Sequence, residues 1–399
     1  MIAKHEPYVK FSTYKKIFKL YNIGKKPPKV DVCNFCTISE NKIKTFKNQH
    51  NVINWQNEQQ KLDLHKRRAD RGYTFLRSYK GPNVKRKRTA GENYRPNQAA
   101  ICIDLAQART IPQLNTSVAF YKRKLMAYNC GIHNLNTGTG HMFVWPENLA
   151  KRGSNEVASC LYKYIDNCIN QKIKELVIFS DNCAGQNKNF NLVLACLRLI
   201  QQGRFKKVTH IFMTAGHSYM PCDRDFGVIS RELKNEEIYT FKEFTEKIKI
   251  ANKTSKFQVH EMNAKDFLDF SVLQKVVTKR SPKEGNFSAG KIFSYVDSFK
   301  EGYYNKPSYS PFIGYLGTDK INLQKRNSKN LMLANTPLPQ LYEKPIKISR
   351  EKCEDIQSLI GVIPSDKSDF LQKVVDEQNL PTQNPVENYD DYHENLVDF

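Results

Sequence analysis

The hydrophobic pattern is most regular between residues 99 and 225, where short apolar runs alternate with stretches of helical spacing. Continuous apolar runs predict buried strands, because both faces of such a strand must be dry. Apolar positions that recur every three or four residues predict amphipathic helices. The expected elements, in chain order, are strands at 99–105, 117–121 and 125–133, a helix at 155–171, a strand at 176–180, a helix at 188–202, a strand at 207–214 and a helix from Asp223.

This order, β-β-β-α-β-α-β-α, predicts an α/β domain with a mixed sheet flanked by helices. In a β-β-β-α-β sheet the first and fourth strands can lie side by side. Around this core the sequence predicts four further segments. The core itself is expected at 99–260. Before it lie an N-terminal helical module at 1–80 and a basic linker at 81–98. After it lie a small C-terminal α+β appendage at 261–345 and a helix with an acidic disordered tail at 346–399.

Composition narrows the choice of partner. The 399 residues carry 63 Lys and Arg against 40 Asp and Glu, a net charge of +23. Such a charge favours a polyanion, most simply nucleic acid, without separating DNA from RNA. No apolar run approaches the roughly 20 residues of a membrane span, so no membrane partner is expected. The block Lys85-Arg86-Lys87-Arg88 is interpreted as a nuclear-import signal, a phosphate contact or a solvated linker, and nuclear localisation is expected.

Acidic residues stand where two of the predicted strands end. Asp104 lies near the end of the first strand, and Asp181 directly follows the fourth. Carboxylates that converge from different elements can hold two divalent cations for phosphoryl transfer, with Mg²⁺ or Mn²⁺ as the expected ions. A third acid should come from the helix after the last strand, where Asp223, Asp225 and Glu232 are the choices. Each acid has a plainer interpretation as a helix cap or a partner of the helix dipole.

Polar residues around these acids extend the candidate site. The turn after Asp181 carries four side chains that could bind a phosphate or brace the carboxylate: Asn182, Gln186, Asn187 and Lys188. His217, six residues before Asp223, could orient the attacking water or bind the scissile phosphate. A structural role for this histidine is the alternative.

Cys33-x-x-Cys36 has the spacing with which two thiolates reach one zinc ion. His50 and His65 are the candidate partners, and reduced free thiols are the alternative. The nearby Arg67 and Arg68 fit phosphate contacts or a basic helix face. Without a signal peptide, ten cysteines indicate thiols or metal ligands instead of disulfides.

Several motifs resemble a transposon-derived protein family of invertebrate genomes, over roughly residues 10–345. The longest motif is Ser180-Asp181-Asn182-Cys183-Ala184-Gly185-Gln186-Asn187-Lys188-Asn189, and a second is Gly216-His217-Ser218-Tyr219-Met220-Pro221-Cys222-Asp223-Arg224-Asp225-Phe226-Gly227. Weaker ones are Ile103-Asp104-Leu105, Phe120-Tyr121-Lys122-Arg123-Lys124-Leu125, Tyr128-Asn129-Cys130-Gly131-Ile132-His133, Arg152-Gly153-Ser154 and Ser159-Cys160-Leu161.

The resemblance implies an RNase H-like core similar to that of DDE transposases and retroviral integrases. By position it implies Asp104, Asp181 and Asp223 as the catalytic acids, and it favours His65 as a zinc ligand. Similar sequences often have Glu where this chain has Ser230. If that Glu were the third metal ligand, this chain would lack it.

Two hypotheses of different class follow. The first is a transposase-derived, DNA-binding protein whose core cleaves phosphodiester bonds of DNA and transfers strands with two Mg²⁺ ions, and homo-oligomers are an expected form of it. The second is a domesticated, non-catalytic nucleic-acid-binding or chromatin protein that retains the fold and the charge. An RNA-directed nuclease is a variant of the first.

Overall fold

The computed structural model describes residues 10–21, 32–82, 89–254, 256–278, 287–307, 309, 319–325 and 333–379. The chain divides into two compact units, residues 1–63 and 64–399. The division falls within one long helix, α3 (Val52–Ser78), which belongs to both units.

The first unit is helical, as its sequence predicts. It contains α1 (Phe11–Leu20), α2 (Asn34–Asn48) and the first part of α3. Its buried apolar cluster is small and consists of Cys33, Cys36, Ile43 and Leu62. Beside this cluster the Ser39 hydroxyl donates a hydrogen bond of 2.8 Å to the Glu58 carboxylate, and that bond is the main reason why the pKa of Glu58 is lowered.

A single mixed sheet dominates the second unit, and the described residues contribute ten strands to it. The strands are β1 (Gln98–Leu105), β2 (Arg109–Ile111), β3 (Leu125–Asn134), β4 (Thr139–Pro146), β5 (Glu175–Ser180), β6 (Lys207–Phe212), β7 (Gln258–Glu261), β8 (Ile292–Val296), β9 (Phe299–Lys306) and β10 (Asp319–Asn322). Their order is β10-β9-β8-β6-β5-β1-β3-β4-β7, and β2 pairs with β3. The pairs β1–β5, β5–β6 and β4–β7 are parallel.

Helices cover both faces of this sheet. The remaining helices are α4 (Ser117–Phe120), α5 (Ser154–Cys168), α6 (Phe190–Gln201), α7 (Pro221–Glu232), α8 (Phe241–Ala251), α9 (Arg350–Ile360) and α10 (Asp369–Asn379), with short 3-10 turns at Ala264–Asp266, Phe270–Val276 and Ser365–Lys367. The largest buried cluster joins α5 and α6 to one face. Two smaller clusters join the second part of α3, α7 and α8 to the other.

The predicted pairing of the first and fourth strands of the core is confirmed. β1 and β5 are parallel neighbours in which Ile101 lies opposite Ile178 and Cys102 opposite Phe179. Both strands are apolar on both faces because helices cover each side, which is why their sequences show no alternation.

The strand predicted at 117–121 is wrong, since Ser117–Phe120 forms the short helix α4. Aromatic residues such as Phe120 are common in strands, which explains the prediction, but the Phe120 side chain is exposed and does not pack in the sheet. The hairpin partner of β3 is instead β4, at Thr139–Pro146. With β4 counted in place of the wrongly assigned strand, the order of elements up to α7 matches the predicted one apart from the short β2 and α4, which the sequence pattern did not predict.

The chain beyond residue 261 adds strands to the same sheet, with β8 antiparallel to β6 and β9 next to β8. The acidic tail predicted at the end of the chain, from residue 380 onward, lies outside the described residues. Among the helices that are described, none combines the length and the apolarity that a membrane crossing needs.

Candidate functional site

Two neighbouring strands bring Asp104 and Asp181 to the same edge of the sheet. The last paired positions of β1 and β5 are Cys102 and Phe179, and each acid follows two residues later. Because side chains alternate along a strand, each acid shares the face of the residue two positions before it. Cys102 and Phe179 belong to the cluster that contains Cys222 of α7, so the two acids face the α7 side.

Close packing of α7 on the sheet brings the third acid to this edge. The Sγ atoms of Cys102 in β1 and Cys222 in α7 are 3.2 Å apart. In the next strand a Cβ on Gly131 would lie 2.6 Å from the Phe226 ring, so only glycine permits this approach of the helix. Asp223 directly follows Cys222 and stands in the first turn of α7.

The three acids interact electrostatically. The pKa of Asp104 is raised to about 8, first by burial and then by the negative charges of Asp181 and Asp223. Neighbouring carboxylates repel one another in this way when no cation compensates them. The structure therefore brings together the three aspartates that the sequence nominated from positions 77 and 42 residues apart.

Each of the three carboxylates accepts at least one hydrogen bond, and one oxygen of Asp104 and one of Asp181 accept none within the described chain. Asp181 Oδ1 accepts bonds from the Cys183 backbone N–H at 3.0 Å and from Asn187 Nδ2 at 2.7 Å. The only bond to Asp104 among the described residues comes from the Leu105 N–H to Oδ1. Asp223 Oδ2 accepts a bond of 2.7 Å from the Met220 N–H. Nothing in the described chain donates to Oδ2 of Asp104 or of Asp181.

The turn after Asp181 contains one unpaired polar atom. Asn182 Oδ1 is buried and has no hydrogen-bond partner in the described part of the chain. Burying such an oxygen without a partner is costly. Asn182 directly follows Asp181 in the chain, and an amide oxygen is a suitable ligand for a hard cation.

The alternative third acids have different surroundings. Asp225 is buried, and its Oδ2 lies 2.5 Å from His133 Nδ1 in β3, so this carboxylate is occupied inside the fold. Ser230 accepts a hydrogen bond of 2.5 Å from Arg109 Nη2. Glu232 is half-buried near the end of α7. Of the three choices, Asp223 is the one whose charge acts on Asp104.

The residues predicted to bind phosphate differ in burial and in hydrogen-bond partners. Asn187 is buried and braces Asp181, while Gln186 is half-buried in the same turn. Lys188 is buried and donates to the carbonyls of Ser288 and Gly290, both at 2.7 Å.

Burial lowers the pKa of Lys188 to about 7, so this side chain is a poor anion ligand. Arg67 and Arg68 are exposed on α3. The block Lys85, Arg86, Lys87 and Arg88 lies outside the described residues.

The predicted zinc ligands are divided between the two units. Cys33 and Cys36 are buried in the first unit, and His65 lies on the part of α3 that belongs to the second. Within the second unit the rings of His65 and His217 have centroids 5.0 Å apart, and the pKa of His65 is lowered by burial first and then by His217. His217, which the sequence assigns to the acidic centre, therefore contacts a predicted zinc ligand.

The model of one protein family, described as a domain of unknown function (DUF7869), matches residues 121–301. This match includes Asp181, His217 and Asp223 but neither Asp104 nor Cys33. No curated protein and no solved structure matches the chain.

Proposed function

We propose that this chain is a divalent-metal-dependent nuclease that cleaves phosphodiester bonds of DNA, with a core of transposase ancestry. The convergence of Asp104, Asp181 and Asp223 carries the proposal, as expressed in the effect of their charges on the pKa of Asp104. The strand order β6-β5-β1-β3-β4, in which three parallel strands adjoin an antiparallel hairpin, supports an RNase H-like core.

The residues of this edge fit divalent cations. Three carboxylates supply hard oxygen ligands and compensate cationic charge, and the unpaired Asn182 Oδ1 adds a neutral oxygen. Mg²⁺ or Mn²⁺ held there would supply an activated nucleophile and stabilise the leaving oxygen. The protein's own part is to orient the ligands: Asn187 and the Cys183 N–H hold one oxygen of Asp181, and the Met220 N–H holds one of Asp223.

Substrate binding follows from charge. A net charge of +23 and the exposed Arg67 and Arg68 favour a polyanionic backbone as the partner. The choice of DNA and self-association rest on the sequence resemblance, and the nuclear location rests on the basic block Lys85-Arg86-Lys87-Arg88.

A structural zinc ion completes the proposed cofactors. The Cys33-x-x-Cys36 spacing lets two thiolates reach one ion, and the sequence resemblance favours His65 as a further ligand.

A second candidate, a non-catalytic nucleic-acid-binding protein, has one specific observation in its favour. Ser230, where similar sequences often have Glu, faces Arg109 and supplies no carboxylate. If the third ligand belongs at that position, the acidic centre is incomplete and the fold serves binding alone.

The experiment that separates the candidates is a nicking assay on supercoiled DNA with the purified full chain, with and without Mg²⁺ or Mn²⁺. We expect metal-dependent cleavage that is lost in the Asp104→Asn/Asp181→Asn/Asp223→Asn variant, while that variant still binds DNA. The matched control is Asp70→Asn on the exposed face of α3, which should cleave normally.

Cleavage by the triple variant at the wild-type rate rejects the nuclease. DNA binding by the wild-type protein without cleavage in either metal selects the non-catalytic alternative. A single-stranded or duplex RNA substrate in the same assay tests the preference for DNA.

A further inference from the structure

A second group of metal-binding side chains lies on the opposite face of the sheet from the aspartates. His141 is in β4, His260 in the edge strand β7, and Cys168 is the last residue of α5. One ligand atom from each lies within 4.8 Å of the other two. All three side chains are half-buried, which leaves the group accessible from one side.

Strand register explains why the two histidines meet. β4 and β7 are parallel, with His141 opposite Gln258 and Phe143 opposite His260. His141 and His260 therefore project from the same face, one on each strand. Phe143 stacks on the His260 ring with centroids 4.5 Å apart, and Tyr164 packs edge-on against His141 at 4.9 Å. These aromatic contacts fix the orientation of both imidazoles.

Two groups converge on one nitrogen atom. His141 Nδ1 is 3.2 Å from His260 Nε2 and 3.7 Å from Cys168 Sγ. A neutral imidazole nitrogen offers either one N–H or one lone pair, so it cannot form a full hydrogen bond with both neighbours. A metal ion bound by all three atoms would satisfy each of them at once.

The separations also match the edges of a tetrahedral site. With zinc–nitrogen distances near 2.0 Å and zinc–sulfur near 2.3 Å, ligand atoms stand about 3.3 Å apart for two nitrogens and about 3.5 Å for nitrogen and sulfur. The observed 3.2 and 3.7 Å lie within about 0.2 Å of these values.

We propose that His141, Cys168 and His260 form a second transition-metal site, with zinc as the preferred ion and a fourth position open to water or a small anionic ligand. Mixed nitrogen and sulfur donors select zinc or copper over magnesium. Three protein ligands with an accessible fourth position are typical of exchangeable or catalytic sites, whereas a closed set of four is typical of structural ones. The site is independent of the acidic centre, since it uses softer ligands on the other face.

Burial affects the ionisation of all three side chains. It lowers the pKa of His141 to about 4, with smaller contributions from His260 and His133, and it also lowers the pKa of His260, to which the charge of Lys163 adds. Burial raises the pKa of the Cys168 thiol.

The test uses the full chain in a Cys33→Ser/Cys36→Ser background, so that the Cys-x-x-Cys pair supplies no thiolate. The stripped protein is titrated with Co²⁺ and then Zn²⁺, and metal per chain and the visible spectrum are recorded. We expect one ion per chain to give a thiolate-to-cobalt charge-transfer band, which Co²⁺ bound at the aspartates cannot give because no thiolate ligates it there. Cys168→Ser should abolish the band and weaken binding at least tenfold, and His260→Gln should weaken binding while leaving the band at saturating Co²⁺.

Cys353→Ser is the matched control, because Cys353 in α9 is also a half-buried thiol of a helix but belongs to no such cluster in the described chain. Circular dichroism and thermal melting in EDTA establish that each variant is folded. If the folded Cys168→Ser and His260→Gln variants bind Co²⁺ with the affinity and spectrum of the background protein, the site does not exist. A Cys353→Ser variant that loses the band would also overturn the assignment.

Discussion

Asp104 on one face of the sheet and His141 on the other are both half-buried ionisable groups, yet burial moves their pKa values in opposite directions. The pKa of Asp104 rises to about 8, and that of His141 falls to about 4. In each case burial favours the neutral form. The consequence for metal binding differs, because a carboxylate binds a cation only when it is charged, whereas an imidazole binds only when it is neutral.

The two candidate metal sites differ in the protonation of their ligands before metal binds. At the acidic centre, a cation must displace a proton from Asp104 at any pH below about 8, and it relieves the repulsion from Asp181 and Asp223. At the opposite face the two imidazoles are already in their binding form near neutral pH. The affinity of the aspartates for metal should therefore depend steeply on pH. Near neutral pH, the pH dependence of metal affinity at the histidines should come from deprotonation of the Cys168 thiol alone.

The largest expected effect concerns the pH dependence of stability in the metal-free protein. Between pH 4 and 8 the native state holds a proton on Asp104 that the unfolded chain releases, so the free energy of unfolding falls as pH rises. The fall due to this group is about 5 kcal/mol across the interval. Urea unfolding in EDTA at several pH values measures it. Asp104→Asn should flatten the profile, and a profile as steep as that of the wild type would refute the electrostatic account.

The next prediction compares two acids of α7. Asp223→Asn should weaken Mg²⁺ binding and slow DNA nicking at least about 100-fold, since loss of a ligand costs more than loss of a residue that orients one. Glu232→Gln, the matched control on the same helix, should change both less than twofold. Calorimetric titration with Mg²⁺ and the nicking assay give the two readings. The reverse ranking would move the third ligand to Glu232.

His141 should make the free energy of unfolding change with pH in the direction opposite to that of Asp104. Its proton binds to the unfolded chain below pH 6.5 but to the native state only below about 4, so this contribution to the free energy of unfolding grows as pH rises through that interval. Allowing for its partial exposure, the gain is about 2 kcal/mol. His141→Gln should remove the gain between pH 4 and 6.5 and leave the fall above pH 6.5 intact. A change confined to the higher range would contradict the assignment.

A smaller effect is expected from the residue that braces Asp181. Asn187→Ala removes the 2.7 Å bond to Oδ1 and should weaken Mg²⁺ binding about tenfold, as is typical when a group orienting a ligand is lost. Asn187→Asp should be worse, because it adds a fourth charge. Asn191→Ala, on the nearby surface of α6, serves as the comparison. Equal Mg²⁺ affinity in Asn187→Ala and wild type would show that Asp181 needs no brace.

The smallest expected effect concerns Ser230. Glu at this position would face Arg109, so Ser230→Glu should stabilise the fold by less than about 1 kcal/mol through a partly exposed ion pair. Its Mg²⁺ affinity should stay within twofold of the wild type. A tenfold gain in Mg²⁺ affinity together with new nicking activity would instead place the missing ligand at residue 230. It would favour the hypothesis that the wild-type protein is non-catalytic.

Local pattern alone determined much of this protein. The apolar runs at β1 and β5, the helical spacing of α5 and α6, and the polar turn after Asp181 follow from residues close in the chain, because backbone geometry repeats over short distances. The same locality explains the error at 117–121, where aromatic and branched residues lie in a four-residue helix with an exposed Phe120.

Only the tertiary structure decided which side chains meet. The pairing of Asp225 with His133, the approach of His217 to His65, and the convergence of Cys168 and His260 on His141 join residues from 27 to 152 positions apart. Contacts of that kind depend on strand order, register and helix packing, which are set by the balance of burial over the whole sheet. The sequence therefore determined which residues had suitable chemistry, and the fold decided which of them could act together.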